Sequence, residues 1–386
     1  MTRAGAAAPA APLGARLAAL AAAAAAAVTI AVRLPLAYRS FDLFGDEVIY
    51  TGLGRSVSSG GWPRNPEGPF FLHPPGFFYL EAGWARLLPR PADVVSAVYQ
   101  MRTLNVLLAA VTAAVLVLLA ARAAGWQAGA AAGLLFALDP FCVRQNDRVL
   151  LETATMLWVL LGYLVAAGLT GPSPPAGRRG WLRAGGAGLL FACAVLTKDQ
   201  AVLLTVLPLA AAAAAGWGPR RRYSLLMAGI PVAVYGGYLA VVALTGQFGT
   251  LWESRTAGAR RLLGLQQITG FNSPTSPSLA ARLAAEAAGF WPTYAVLVLA
   301  VPAGRAAGGR RQRGRCWRCW RCWCARAWRP ASAGRRCRTT ATRGCGSTWR
   351  RTCPRAARSS PWTTARRAPG APPTGCCRTG TGSGAG

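Results

Sequence analysis

Charge is scarce in this sequence, and histidine is nearly missing. Only 14% of its 386 residues are Asp, Glu, Lys or Arg, the acids number 12, and His73 is the single histidine. A soluble chain of this length carries charge at about a quarter of its positions. One histidine excludes a zinc centre built on several. Cysteine is as sparse through residue 303, where Cys142 and Cys193 stand alone in apolar segments and read as small core residues. The net charge of +31 suggests a polyanion partner only until it is divided. Residues 304–386 hold 20 of the 43 basic residues and no acid, leaving +11 for residues 1–303. Arginine at cytoplasmic helix ends accounts for that remainder, so no nucleic acid is implied.

What the sequence has instead is apolar length. After a short Ala/Pro segment, Leu13 to Leu36 is an apolar run interrupted early by Arg16, and similar runs recur at about 97–121, 127–143, 149–169, 182–197, 200–217, 224–245 and 287–303. These are eight candidate spans, and the fold class they imply is an all-α polytopic membrane protein with about eight transmembrane helices. A cleaved signal peptide competes for the first run, but its length and the runs that follow favour an uncleaved span. The breaks at Ala121–Trp126, Gly171–Gly180 and Gly216–Tyr223 carry Arg122, Arg178, Arg179, Arg220, Arg221 and Arg222. Short basic breaks are cytoplasmic by the positive-inside rule, which places the N-terminus inside and the 42–80 loop outside.

Every acid in the chain then falls in four intervals on the outer side: about 37–96, Asp139–Glu152, Thr197–Gln200 and Gly246–Glu286. Charge near a bilayer is costly unless solvated or paired, so this gathering implies one polar site at the outer boundary. In the first interval, Gly45 begins a short amphipathic helix through Val57 that carries Asp46 and Glu47. Neighbouring helical residues point about 100° apart, so one carboxylate can face a reacting group while the other orients a neighbour. Both also suit a helix start, where the dipole favours acids. Downstream, the segment from Phe70 to Tyr79 sets His73-Pro74-Pro75-Gly76 among five aromatics, a stiff extended entry into an apolar helix. Those aromatics also suit interfacial anchoring, and His73 a plain turn. Arg148 and Lys198 read equally as helix-end anchors, and Glu152 as the partner of Arg148 four residues earlier. The Gly246–Glu286 interval offers Arg260, Arg261, Gln266, Gln267, Phe271 and Asn272, as a solvated loop or a hydrogen-bonding surface.

The order of these elements resembles glycosyltransferase family 39, which includes protein O-mannosyltransferases and lipid A aminoarabinose transferases. Asp46-Glu47 with Tyr50 and Arg55, then the Pro-Pro-aromatic segment, are similar to the family's first external loop. Arg148 to Thr153 is similar to its Arg-x-x-x-Asp-Ser turn, and Leu196-Thr197-Lys198 to its Leu-Thr/Ser-Lys turn. The resemblance spans about residues 13–303 and implies a GT-C-like membrane domain, C-terminally incomplete against the family. It implies a transferase taking a sugar from a polyprenyl-phosphate carrier, with Asp46 as base and Glu47 and Glu152 as further catalytic acids. Tyr50, His73, Arg148 and Lys198 would bind substrate. Glu152 stands where the family has Asp, which leaves Asp147 as a rival second acid. The implied partners are the donor, a lipid, glycan or protein acceptor, and membrane lipid, at a cell membrane with the site on the external face. The residues specify no cofactor, and a divalent metal is compatible with the acids. The rival reading is a secondary transporter or flippase. Transporters usually show repeated halves and broken helices that place polar groups near the midplane, whereas these acids sit at one boundary.

Residues 304–386 form a second, low-complexity region. From Gly314 onward the chain uses only Arg, Cys, Trp, Gly, Ala, Pro, Ser and Thr. Cys316, Cys319, Cys322 and Cys324 have the look of metal ligands, but the interleaved tryptophans and missing apolar residues argue for a disordered tail. Written as CGC, TGC and TGG codons, Arg315 to Arg326 shifted by two bases reads Leu-Leu-Ala-Leu-Leu-Ala-Leu-Leu-Val-Arg, a further span. The expectation is a frameshift between about Val301 and Arg315, which would replace any remaining spans with out-of-frame sequence and leave this chain inactive or unstable. Early stop codons in that alternative frame would exclude it.

Overall fold

The computed structural model describes residues 13–58, 60–170, 175, 177–216, 218–262 and 279–291, with single positions at 295 and 298. The chain divides into Met1–Gly314 and Arg315–Gly386, and the fold below is that of the first unit. The Arg/Cys/Trp tail, most of the 287–303 span and Gln266, Gln267, Phe271 and Asn272 lie outside the described residues.

The fold is helical, as the apolar periodicity implies. Helix α1 (Leu13–Arg39) is followed by a short α2 (Gly45–Ser58) and α3 (Gly76–Ala85), joined by a two-residue hairpin of Arg64–Asn65 with Gly68–Pro69. The 31-residue α4 (Val94–Ala124) opens on Asp93, whose carboxylate accepts from the Ser96 amide at 2.7 Å and satisfies one of the free donors of the first turn. Gly125, at φ 101°, turns the chain directly into α5 (Trp126–Leu138). Close packing among α1, α4 and α5 depends on Gly133, where a Cβ would sit 2.4 Å from Val117 Cγ2 and 2.8 Å from Ala25 Cβ. Small residues at such contacts replace the hydrophobic drive that lipid removes.

Asp139 ends α5 and caps α6 (Pro140–Asn146), which departs at 63°. At this break the fully buried Arg33 of α1 donates to the carbonyls of Phe136 (2.9 Å) and Ala137 (2.8 Å). It thereby pairs carbonyls that the end of a helix leaves open. Helix α7 (Leu151–Ala166) continues as a 3₁₀ turn to Leu169, and α8 (Gly177–Thr197) and α10 (Arg221–Leu244) pack together. Trp181 meets Tyr223 at their starts and Gly188 meets Ile230 further on, so α8 and α10 run parallel. The intervening chain must therefore cross back. It does so through a 3₁₀ segment, Asp199–Leu203, and α9 (Val206–Ala215), together about 25 Å at 2.0 and 1.5 Å per residue.

Among the described residues, five helices are long and apolar enough to cross a membrane, or six if the bent α5–α6 pair counts as one span. The expected eight included 200–217, which is the shorter apolar Asp199–Ala215. Its hydropathy marked a span, but its α-helix is only ten residues long, preceded by the 3₁₀ segment. Helix α11 (Phe248–Leu262) follows α10, and α12 (Leu279–Gly289) closes the described chain.

The largest apolar cluster joins α2, α3, α4 and α7 through Tyr50, Leu53, Phe77, Phe78, Met101 and Leu157. It fixes the short helices α2 and α3 to one end of the spans.

Candidate active site

The scaffold of the site is a buried ion pair. Glu47 and Arg102 are both fully buried, with Arg102 Nε and Nη2 each 2.8 Å from the carboxylate. Arg102 also donates to the carbonyls of Ala37 and Ser40 (each 3.0 Å) and Asp42 (2.9 Å). Glu47 accepts from the amides of Phe44 and Val149, each at 3.0 Å. Every strong group of this pair is therefore occupied, as burial of charge demands. The arrangement ties the end of α1, the start of α2, α4 and the chain entering α7 to a single point. Glu47 turns into the scaffold, and Asp46, one position earlier, turns out of it.

Asp46 is half-buried. Burial and, after it, the charge of Glu152 raise its pKa above the ordinary carboxylate value, and Lys198 opposes the rise. Glu152, in the first turn of α7, forms an ion pair with Lys198, which follows α8. Three separate turns thus supply one cluster, and Lys198 is the only lysine in the chain.

The His-Pro-Pro-Gly segment reaches this cluster through Gly76. A Cβ there would lie 2.7 Å from the Leu196 carbonyl oxygen, so only glycine lets α3 begin against the end of α8. His73 is held beside Tyr50, with Nε2 and the phenol oxygen 3.3 Å apart and the rings edge to face. Burial, then Lys198, lowers His73 to about 4, so the imidazole is neutral at physiological pH. Its Nδ1 is buried with no partner among the described residues. Burial followed by Asp46 raises the Tyr50 phenol, which stays protonated and able to donate.

Arg148 stands apart from Lys198. It pairs with Asp42 at 2.6 Å and lies over the Phe44 ring, 5.5 Å from its centroid. Asp147, the rival second acid, faces Arg148, Arg102 and Glu47, and burial lifts it to about 6. The structure therefore brings Glu152, and not Asp147, to Asp46 and Lys198.

Two contributors were not singled out in the sequence. Arg102 lay inside an apolar run, where a lone arginine in a span was itself the signal of a buried partner. Arg255 of α11 pairs with Asp199, just after Lys198, and lies near enough to act on His73 electrostatically. Its segment read as a loop, and only the amphipathic pattern of α11 pointed to a docked helix. Among the described residues no group of three or more His, Cys, Asp or Glu is placed to hold a metal ion.

Residues 90–246 match the family model described as dolichyl-phosphate-mannose-protein mannosyltransferase. This match bears out the family resemblance read from the motifs. Arg148, Glu152 and Lys198 fall inside the matched residues, and Asp46, Tyr50 and His73 before them. Comparison with curated proteins found no match. Among solved structures, the S. cerevisiae protein O-mannosyltransferase Pmt1-Pmt2 complex bound to the sugar donor is similar at 17% identity and a TM-score of 0.45, over 61% of this chain and 34% of that one. The chain thus spans about a third of the length of that relative.

Proposed function

We propose that this chain is a polytopic membrane glycosyltransferase that moves a sugar from a polyprenyl-phosphate donor to an acceptor hydroxyl at the external face of a cell membrane. The observation that carries the reading is a half-buried Asp46 within electrostatic reach of the Glu152–Lys198 ion pair, the three contributed by separate turns at one end of the spans. A carboxylate raised in pKa is a better base and still ionised near neutrality. Asp46 takes the proton of the acceptor hydroxyl as its oxygen attacks the anomeric carbon. The bond from that carbon to the phosphate oxygen breaks with its electron pair going to the phosphate. A single displacement inverts the anomeric configuration.

The leaving phosphate needs cations, and Lys198 is a cation whose charge acts on the base. It can exchange Glu152 for the phosphate, with Arg255 behind it and the Tyr50 and His73 pair offering neutral hydrogen bonds. Glu47 serves as a positioning residue through Arg102, and Arg148 holds the loop at Asp42 on the rim.

The test is transfer of labelled sugar from a polyprenyl-phosphate donor by a full-length enzyme carrying residues 1–303, in reconstituted vesicles. Asp46→Asn should cost about 10²–10⁴-fold in rate with the fold unchanged. The parent rate should fall on acidification with a midpoint above the ordinary carboxylate range, because Asp46 must be ionised. His73 stays neutral until about pH 4 and adds nothing in that window. Solute uptake without transfer would replace this reading with a transporter. A rate within a few-fold of the parent for Asp46→Asn would reduce Asp46 to a helix-start acid.

A further inference from the structure

A second feature of the outer end lies away from this cluster. The ends of α2 and α3, the 86–93 turn and the start of α4 enclose a cavity of about 600 Å³. Arg55, Arg86 and Arg90 line it together with Gln100, and no acid does. Among the described residues none of the three arginines is in an ion pair. Arg86 donates to the Ser58 carbonyl at 3.4 Å, and Gln100 donates to the Pro89 carbonyl at 3.0 Å, so the turn that carries two of the arginines is held in place. Leu88 and Met101 supply an apolar wall.

Three guanidinium groups lining one space repel one another, and no acid among its lining residues offsets this. A planar, fork-shaped donor set of this kind suits a phosphate, which can accept several charge-assisted hydrogen bonds at once. Leu87, 75% exposed, and Val94 and Val95, about half exposed, stand in the adjoining turn as an apolar edge. Such an edge suits acyl chains more than water. Arg55 lies nine residues beyond Asp46 on α2, about 14 Å along the helix axis. A phosphate held there is too remote to be the group that leaves during transfer.

We infer that the Arg55–Arg86–Arg90 cavity is a second phosphate-binding site, built to hold a phosphate mono- or diester at the membrane boundary. It does not depend on the proposed transfer chemistry. Anionic lipid attracts a basic surface without any built site. The test must therefore separate a site from net charge.

The full chain is placed in phosphatidylcholine nanodiscs with increasing phosphatidylglycerol, and separately titrated with inorganic phosphate in phosphatidylcholine alone, with bound ligand counted by native mass spectrometry. The double variant Arg86→Gln/Arg90→Gln should weaken binding at least ten-fold, while Arg86→Lys/Arg90→Lys weakens it less. The pair Arg39→Gln/Arg64→Gln removes two exposed arginines elsewhere and should change it less than two-fold. Loss confined to phosphatidylglycerol identifies a lipid headgroup, and loss confined to inorganic phosphate identifies the free ion. Equal losses in the two glutamine pairs, or no loss in either, would overturn the site. If the glutamine pair fails to fold, judged by elution and helical circular dichroism, the lysine pair against the Arg39/Arg64 control decides by the same comparison.

Discussion

At the scale of single residues, the neighbours Asp46 and Glu47 divide the work by direction. Glu47 is fully buried against Arg102, and Asp46 is half-buried beside Glu152 and Lys198. Removing one partner of a buried ion pair leaves the other charge uncompensated, at a cost of about 3–5 kcal/mol. Glu47→Gln should therefore lower the thermal unfolding midpoint of the detergent-solubilised chain sharply, with activity lost through the fold. Asp46→Asn should leave that midpoint close to the parent, since it breaks no buried pair. Equal midpoints for the two variants would mean that Glu47 does not carry the scaffold. The sequence disclosed the pair, its helix and the 100° separation, but not which acid turned inward. That choice was set by Arg102, which lies 55 residues away and was hidden in an apolar run.

At the scale of elements, the site is assembled by contacts between helix ends. Gly76 makes one of them, because α3 starts against the backbone of Leu196. Gly76→Ala should push the end of α8 away from α3 and move Lys198 relative to His73. The expected result is a transfer rate at least ten-fold lower, with a smaller change in melting than Glu47→Gln produces. Parent-like transfer by Gly76→Ala would show that this contact does not set the site. Proline and glycine in His73-Pro74-Pro75-Gly76 marked a stiff turn in the sequence, and the close approach to α8 supplies the reason for the glycine. The helices themselves were legible from apolar length. The crossing by Asp199–Ala215 was legible only as hydropathy, because its 3₁₀ start depends on the parallel packing of α8 with α10.

At the scale of the whole molecule, charge separates by end. The acids and their partners collect where α1 and α8 end and α4 and α7 begin, and Arg122, Arg179 and Arg222 mark the other end. With the basic end cytoplasmic, a cysteine introduced at exposed Ser58 should react with an impermeant reagent added outside intact cells, and one at exposed Arg179 should not. The reverse pattern would invert the orientation and remove Asp46 from an external acceptor.

The buried Arg33 also has a consequence for how the chain enters the bilayer. It lies six residues before the end of α1, about 9 Å inside, and its two carbonyl partners belong to α5, over a hundred residues later. During synthesis α1 emerges first, with a guanidinium that has no acceptor until Leu138 has been made. An arginine within a span opposes insertion by up to about 2.5–3.5 kcal/mol at the helix centre, and less toward the end. The first span should consequently be held less firmly in the membrane until α5 arrives. Fragments ending at residue 124 should be extracted by alkaline carbonate more readily than fragments ending at 146, and Arg33→Leu should abolish that difference. If both fragments resist extraction equally, α1 inserts without waiting for its partner.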